Sequence, residues 1–252
     1  MKVDLKKRIM FLELEAELSL RPKALLNYLQ QAATVHSERA GYGSKKLMDQ
    51  GHAWILHRIG IHIHRPPVLG EELRIHTWHK GVKRFRAYRD FEILNGREKL
   101  VSVASLWLFI DLNHKKIIRV PENVSEYYTV EEKHAIDMDI DNWKPSMNYE
   151  PEKFKTIAIR HSDYDPLGHV NNALYFDFLE NLTDDLFQGE RKIKHVVMQF
   201  NKEITKSINE VKIGMRVRGD YFEYKLFSPD CVHAAGEFQL FDYTASHTNV
   251  PQ

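Results

Sequence analysis

One succession of elements is written twice along this chain: an extended segment, a long amphipathic helix, then a run of strands. In the first half, "LRPKALLNYLQQAATVHSERAGYG" places Pro22 where a first helical turn tolerates it and Gly41 where a helix stops. Leu25, Leu29, Ala32 and His36 recur at helical spacing, with His36 expected at the wetter end. A short strand is expected before the helix, near Arg8 to Leu18. After it come "HAWILHRIGIHIHRP", "EELRIHTWHKG", "RFRAYRDFEIL" and "KLVSVASLWLFIDL", rich in β-branched and aromatic residues and separated by Gly, Pro or Asn-Gly.

The second half follows the same order. "FKTIAIRHSD" alternates as a strand does, and "NNALYFDFLENLTDDLF" sets Tyr175, Leu179, Leu182 and Leu186 on one helical stripe. "KHVVMQFNKEIT", "EVKIGMRVRGDYFEYKLFS" and "VHAAGEFQLFDYT" then read as strands. The polar, acidic stretch between the halves, with its scattered prolines, reads as a linker over residues 126–152. The expectation is an α+β protein of two similar units, 1–125 and 153–252.

Composition removes several function classes. The chain has 252 residues, 43% apolar and 28% charged, with a formal net charge of +1. No global field favours nucleic acid or a membrane surface. No apolar run reaches the length of a membrane span, and the N-terminus lacks the apolar core of a signal peptide. A single cysteine, Cys231, excludes an intramolecular disulfide and a cysteine-rich metal site. A cytoplasmic setting is expected.

The segment "SDYDPLGHVNNALYFDFLEN" contains D-x-D-x-x-G-H-V-N-N-x-x-Y, which resembles the signature of hotdog thioesterases. "WILHRIGIHIHRPPVLGEELRIHTW" and "VASLWLFIDLNHKKIIRVPENV" extend the likeness over most of the chain. The whole is similar to the acyl-acyl-carrier-protein thioesterase family of plants and bacteria. That resemblance implies two tandem hotdog units, each a long helix wrapped by a curved antiparallel sheet. It implies an N-terminal unit that houses the acyl chain and a C-terminal unit that carries catalysis. It further implies hydrolysis of fatty acyl-ACP to free fatty acid and holo-ACP, with acyl carrier protein as partner and no cofactor. Self-association as a homodimer is left open. The alternatives are an acyl-CoA thioesterase with the same loop, a hotdog hydratase and a non-catalytic acyl-binding protein.

Thioester hydrolysis needs an activated water or a nucleophile, donors for the oxyanion, and a route out for the thiol. Asp165 offers a carboxylate, and His169 a group that donates a hydrogen bond or moves a proton. The helix expected to begin near Asn171 or Asn172 offers backbone N–H groups for an oxyanion. The resemblance supplies a third group: "QFNKEIT" matches the R-R-E-C-like stretch of the plant enzymes and puts Glu203 at the catalytic carboxylate. Ile204 stands where those enzymes have cysteine, so a carboxylate mechanism is expected. Leu167 stands where they have asparagine. On a strand, Gln199, Asn201 and Glu203 would share one face.

Other residues have plainer readings. Asp163, Asn171 and Asn172 suit turns and helix caps. No further His or Cys completes a metal set with Asp163, Asp165 and His169, and His62 with His64 reads as a partly exposed strand face. Trp54, Trp78 and Trp107 read as core. Lys80, Lys83, Arg84, Arg86 and Arg89 form a basic run, either a solvated face or, through Arg84, Arg86 and Arg89, a docking patch for an acidic carrier protein.

Overall fold

The computed structural model describes residues 3–165, 168–187 and 192–241. It divides into two compact units, Met1–Asn142 and Trp143–Gln252.

In the first unit, β1 (Val3–Arg8) precedes a 3₁₀ turn (Phe11–Glu13), the long helix α1 (Pro22–Arg39) and a short helix α2 (Ser44–Asp49). Then come β2 (His52–Ile63), β3 (Glu72–Lys83), β4 (Arg86–Asn95), β5 (Glu98–Asp111), β6 (Lys116–Ile117) and α3 (Glu122–Ser125). The antiparallel order is β1-β3-β4-β5-β2, with β6 on β5. The strand expected near Arg8 to Leu18 lies earlier, because the residues after Arg8 curl into the 3₁₀ turn. Pro22 opens α1, and Gly41, at φ +82°, ends it with its N–H on Glu38 O at 2.9 Å. Leu25, Leu26, Leu29, Ala32 and Ala33 bury one face of α1, each leucine contributing about 2 kcal/mol. His36 continues that face and is buried, which overturns the expectation of a wet end.

In the second unit, β7 (Lys153–Ala158) leads to a 3₁₀ turn (His161–Asp163) and α4 (Leu174–Phe187). β8 (Ile193–Phe200), β9 (Glu210–Arg218), β10 (Tyr221–Ser228) and β11 (Cys231–Leu240) follow. The order β7-β9-β10-β11-β8 has the same connectivity as the first unit. Tyr175, Phe176, Phe178, Leu179 and Leu182 bury one side of α4. Phe222 and Phe238 stack at 4.9 Å within this core.

The stretch read as a linker is pinned to each unit in turn. Trp78 Nε1 donates to Lys133 O at 2.8 Å, and Ala135 N–H to Asp90 Oδ2 at 2.9 Å. Arg58 Nη1 donates to Ile140 O at 3.1 Å and Asp141 O at 2.8 Å. In the second unit, Trp143 Nε1 donates to Glu237 Oε1 at 3.1 Å.

The turn between first strand and long helix is built alike in both units. Glu15 N–H donates to Ser19 O, and Asp165 N–H to His169 O, both at 2.8 Å. Leu18 N–H donates to Glu15 O, and Gly168 N–H to Asp165 O; Leu18 and Gly168 share positive φ, +63° and +82°. Leu20 N–H reaches Pro67 O as Val170 N–H reaches Ile204 O, and Ser19 bridges Val68 as His169 bridges Thr205. Ser19 thus occupies the backbone place of His169, Glu15 that of Asp165, and Pro66 that of Glu203.

Candidate active site

The loop of the second unit starts from a capped turn. The buried Asp163 carboxylate accepts the Arg160 N–H at 2.8 Å and pairs with the Arg160 guanidinium at 3.0 Å. Asp163 O then receives the Asn171 N–H at 3.1 Å, closing the loop at its far end. Asp163 is therefore a structural cap. Inside the loop, Asp165 Oδ1 accepts the His169 N–H at 3.3 Å. Leu167 lies outside the described residues.

His169 and Glu203 meet. His169 Nε2 lies 2.9 Å from Glu203 Oε2, with the side chains 28% and 52% exposed, open enough for water and substrate to reach. This contact places the imidazole proton on Nε2 and leaves Nδ1 as an acceptor when the ring is neutral.

The reason Glu203 arrives there corrects the strand-face reading. β8 ends at Phe200, and the chain bends at Lys202, so period-two alternation does not extend to Glu203. The bend is held from behind by His233, which is buried on β11. Asn201 N–H and Lys202 N–H both donate to His233 O, at 2.8 and 3.2 Å. The ring lies 3.2 Å from Lys202 O through Nδ1 and 3.0 Å from Ser228 Oγ through Nε2. Burial lowers the His233 pKa, and hydrogen bonds to the Lys202 and Glu203 backbone oppose that shift. Nothing in "CVHAAGEF" marks this histidine from sequence. Beneath the loop, Tyr175 packs on Phe200 at 5.5 Å between ring centroids. Burial raises its phenol, a hydrogen bond with the Ile204 backbone acts the other way, and the Glu203 charge adds to the rise.

The helix start lies later than expected, at Leu174. Asn171 Oδ1 accepts the Ala173 N–H at 2.8 Å, and Asn171 O the Leu174 N–H at 2.9 Å. Asn171 is thus a cap whose own N–H is engaged by Asp163. Its N–H is not an oxyanion donor. The Asn172 N–H has no acceptor among the described residues.

The basic run separates into three environments. Arg84 is exposed at the β3–β4 turn, at φ +61°. Arg86 Nη1 pairs with Asp141 at 2.5 Å. Arg89 is buried, bonded to His36 and Thr77, and so is removed from any docking patch. Trp78 is core, whereas Trp54 and Trp107 are partly exposed. Among the described residues no cluster of three or more His, Cys, Asp or Glu is arranged to hold a metal ion. The rings of His62 and His64 lie 4.7 Å apart between centroids, and His64 Nε2 is 3.0 Å from Ser102 Oγ. No described helix is long and apolar enough to cross a membrane.

Comparison with known proteins places this loop in a family. Residues 2–128 match the Acyl-ACP thioesterase N-terminal domain, and residues 146–225 the Acyl-ACP thioesterase C-terminal domain. A chloroplastic acyl-[acyl-carrier-protein] hydrolase of Cuphea viscosissima is 21% identical over 76% of this chain and 49% of its own. The chloroplastic oleoyl-acyl carrier protein thioesterase 2 of Arabidopsis thaliana is 22% identical over 72% of this chain and 54% of its own. The chain spans about half the length of the curated relatives it matches.

Two solved structures share the fold over nearly the whole chain. An acyl-ACP thioesterase from Bacteroides thetaiotaomicron has a TM-score of 0.82 at 22% identity, covering 95% of this chain and 97% of its own. The 12:0-ACP thioesterase from Umbellularia californica has a TM-score of 0.81 at 17% identity, covering 95% and 96%. The expected α+β hotdog fold is the fold observed. With both domain matches in chain order, this protein belongs to the acyl-ACP thioesterase family.

Proposed function

We propose that this protein hydrolyses acyl thioesters of acyl carrier protein, releasing a free carboxylic acid and the carrier thiol. The observation that carries the reading is the 2.9 Å contact between His169 Nε2 and Glu203 Oε2 in a family of thioesterases. Glu203 accepts a hydrogen bond from the Nε2–H and fixes the ring, which leaves Nδ1 to serve as the base. Water attacks the thioester carbonyl as its proton passes to the imidazole. The carbon–oxygen bond forms, the carbon–sulfur bond breaks, and the departing thiolate takes the proton back from the imidazolium. Atoms balance as thioester plus water giving acid plus thiol.

Asp165 is the second carboxylate of the site. Its backbone and Oδ1 bonds to residue 169 tie it to the imidazole-bearing backbone. It orients the attacking water, and the Asn172 N–H, lacking a described acceptor, faces the developing oxyanion. His233 is a positioning residue that holds the Lys202 bend and so aims Glu203. The first unit holds the acyl chain, and Arg84 with Arg86 contributes to carrier docking.

The test is release of thiol from one acyl group presented on carrier protein and on CoA, without added metal. Faster turnover of the carrier-protein thioester supports the reading. Equal or preferential turnover of the CoA thioester transfers the assignment to an acyl-CoA thioesterase. No turnover of either refutes hydrolysis.

A further inference from the structure

Tyr175 lies in the first turn of α4 and is 2% exposed. Its ring packs on Phe200 at 5.5 Å and on Phe178 at 6.2 Å between centroids. Its hydroxyl shares a hydrogen bond with the Ile204 main chain. Ile204 O already accepts the Val170 N–H at 3.0 Å. The bond to Tyr175 favours the phenolate form, as one received by the oxygen does, so the Ile204 N–H is the donor. Ile204 is fully buried, and a buried N–H needs such a partner.

That N–H belongs to the planar peptide unit that leaves the Glu203 Cα, so holding it holds the torsion that directs the residue. His233 O holds the other side, through the Asn201 and Lys202 N–H groups. Glu203 thus sits between two main-chain anchors, although its own side chain is half exposed. The first unit shows that the fold closes without the Tyr175 anchor. Pro67 O receives the Leu20 N–H where Ile204 O receives the Val170 N–H, and a proline has no N–H to give. Arg21 and Asn171 close their loops alike, on Glu13 O and Asp163 O. Leu25, four residues past Arg21 as Tyr175 is past Asn171, has no oxygen to receive an N–H. Both halves of the bond are missing from the unit that lacks the imidazole–carboxylate pair, and both are present in the unit that has it.

We infer that Tyr175 is a positioning residue for thioester hydrolysis: by holding the Ile204 N–H it fixes the main chain at Glu203 and so aims the carboxylate at His169. This rests on the hydrolytic mechanism proposed above. Buried as it is, Tyr175 offers substrate no surface, so its effect falls on turnover rather than on binding.

The test is made in the full chain with Tyr175→Phe, which removes the oxygen and keeps the ring. Its melting temperature should stay close to wild type. Its kcat for a carrier-protein thioester should fall about tenfold to a hundredfold, the cost of a misplaced catalytic group, with KM within about twofold of wild type. In a Glu203→Gln background the same change should cost nothing further, because the carboxylate it aims is gone. Nuclear magnetic resonance of isotope-labelled histidine gives a readout apart from activity. The His169 ring signals, assigned by their loss in His169→Ala, should leave their wild-type positions in Tyr175→Phe and match those of Glu203→Ala. Should the orphaned N–H keep Tyr175→Phe from folding, Tyr175→Phe combined with Ile204→Pro, which removes the donor as Pro67 does, is measured in its place. A folded variant with wild-type kcat, or an equal fold loss in both backgrounds, overturns the inference, as do unmoved His169 signals. Absence of turnover in the wild type refutes the hydrolytic reading instead, and the His169 signals then still decide whether Tyr175 aims Glu203.

Discussion

Glu203 lies against His169 because the residues just after it are stitched to the histidine's own backbone: Ile204 O receives the Val170 N–H, and Thr205 bridges His169. The imidazole–carboxylate contact is therefore set by main-chain bonds, which survive replacement of either side chain.

That separation of backbone from chemistry makes the first prediction. Glu203→Gln and His169→Ala should fold, with melting temperatures near wild type, since both side chains are partly exposed. Thioester turnover should fall by about 10²–10⁴-fold in His169→Ala, the range of acid–base assistance, and by a comparable factor in Glu203→Gln. Steady-state rates beside thermal melts check this. A folded Glu203→Gln protein with near wild-type turnover would remove Glu203 from the mechanism.

Docking is tested at Arg84, because it is exposed whereas Arg86 is tied to Asp141. Arg84→Glu should lower kcat/KM for the carrier-protein thioester by about threefold or more at low salt, leaving a small acyl thioester unaffected. Equal responses of the two substrates would make the residue irrelevant to docking.

Asp90 predicts a pH dependence of stability. Burial raises its pKa from 3.8 to about 6, against the pull of the Ala135 N–H and Lys80. A folded-state pKa above the unfolded one gives stabilisation that is full below about pH 4 and is lost as pH rises through 6. Asp90→Asn cannot ionise, so its stability relative to wild type should grow across that window. The gain should level off at about 3 kcal/mol. Urea unfolding at pH 4, 5, 6 and 7.5 measures the difference. A gap constant with pH would refute the shift.

Gly236 has no room for a side chain. A Cβ there would run into Val197 O and sit 2.8 Å from the Tyr224 hydroxyl, at the β8–β11 pairing that leads into the Glu203 bend. Gly236→Ala should cost on the order of 3 kcal/mol by overpacking and reduce activity alongside. An unchanged denaturation midpoint would contradict this.

Element type and order were legible in the sequence because the patterning is local. Pro22 and Gly41 bracket α1, and the β-branched runs became β2 to β5. Asp165, His169 and Glu203 were named through a motif, and the contact between the last two is a tertiary fact that no spacing contains. The failures are also tertiary. His36 and Arg89 are polar and read as wet, but each supplies the other's hydrogen bond inside the unit. Glu203 read as strand because alternation cannot reveal a bend at Lys202 imposed by His233 on another strand. Asn171 and Asn172 were both legible as oxyanion donors at a helix start, but the bond from the Asn171 N–H to Asp163 O, which sets the two apart, is a loop contact that no local pattern contains.

The matched turns give this chain its own blank. Around Glu15 and Ser19 the main chain follows the path it takes around Asp165 and His169, yet it presents a hydroxyl for the imidazole and a proline where Glu203 stands. A reagent or substrate fragment that discriminates between the two loops is reporting side-chain chemistry, because the peptide scaffold is common to both. Reactivity ascribed to the second loop can thus be calibrated against the first within one molecule, at equal concentration and under one solvent.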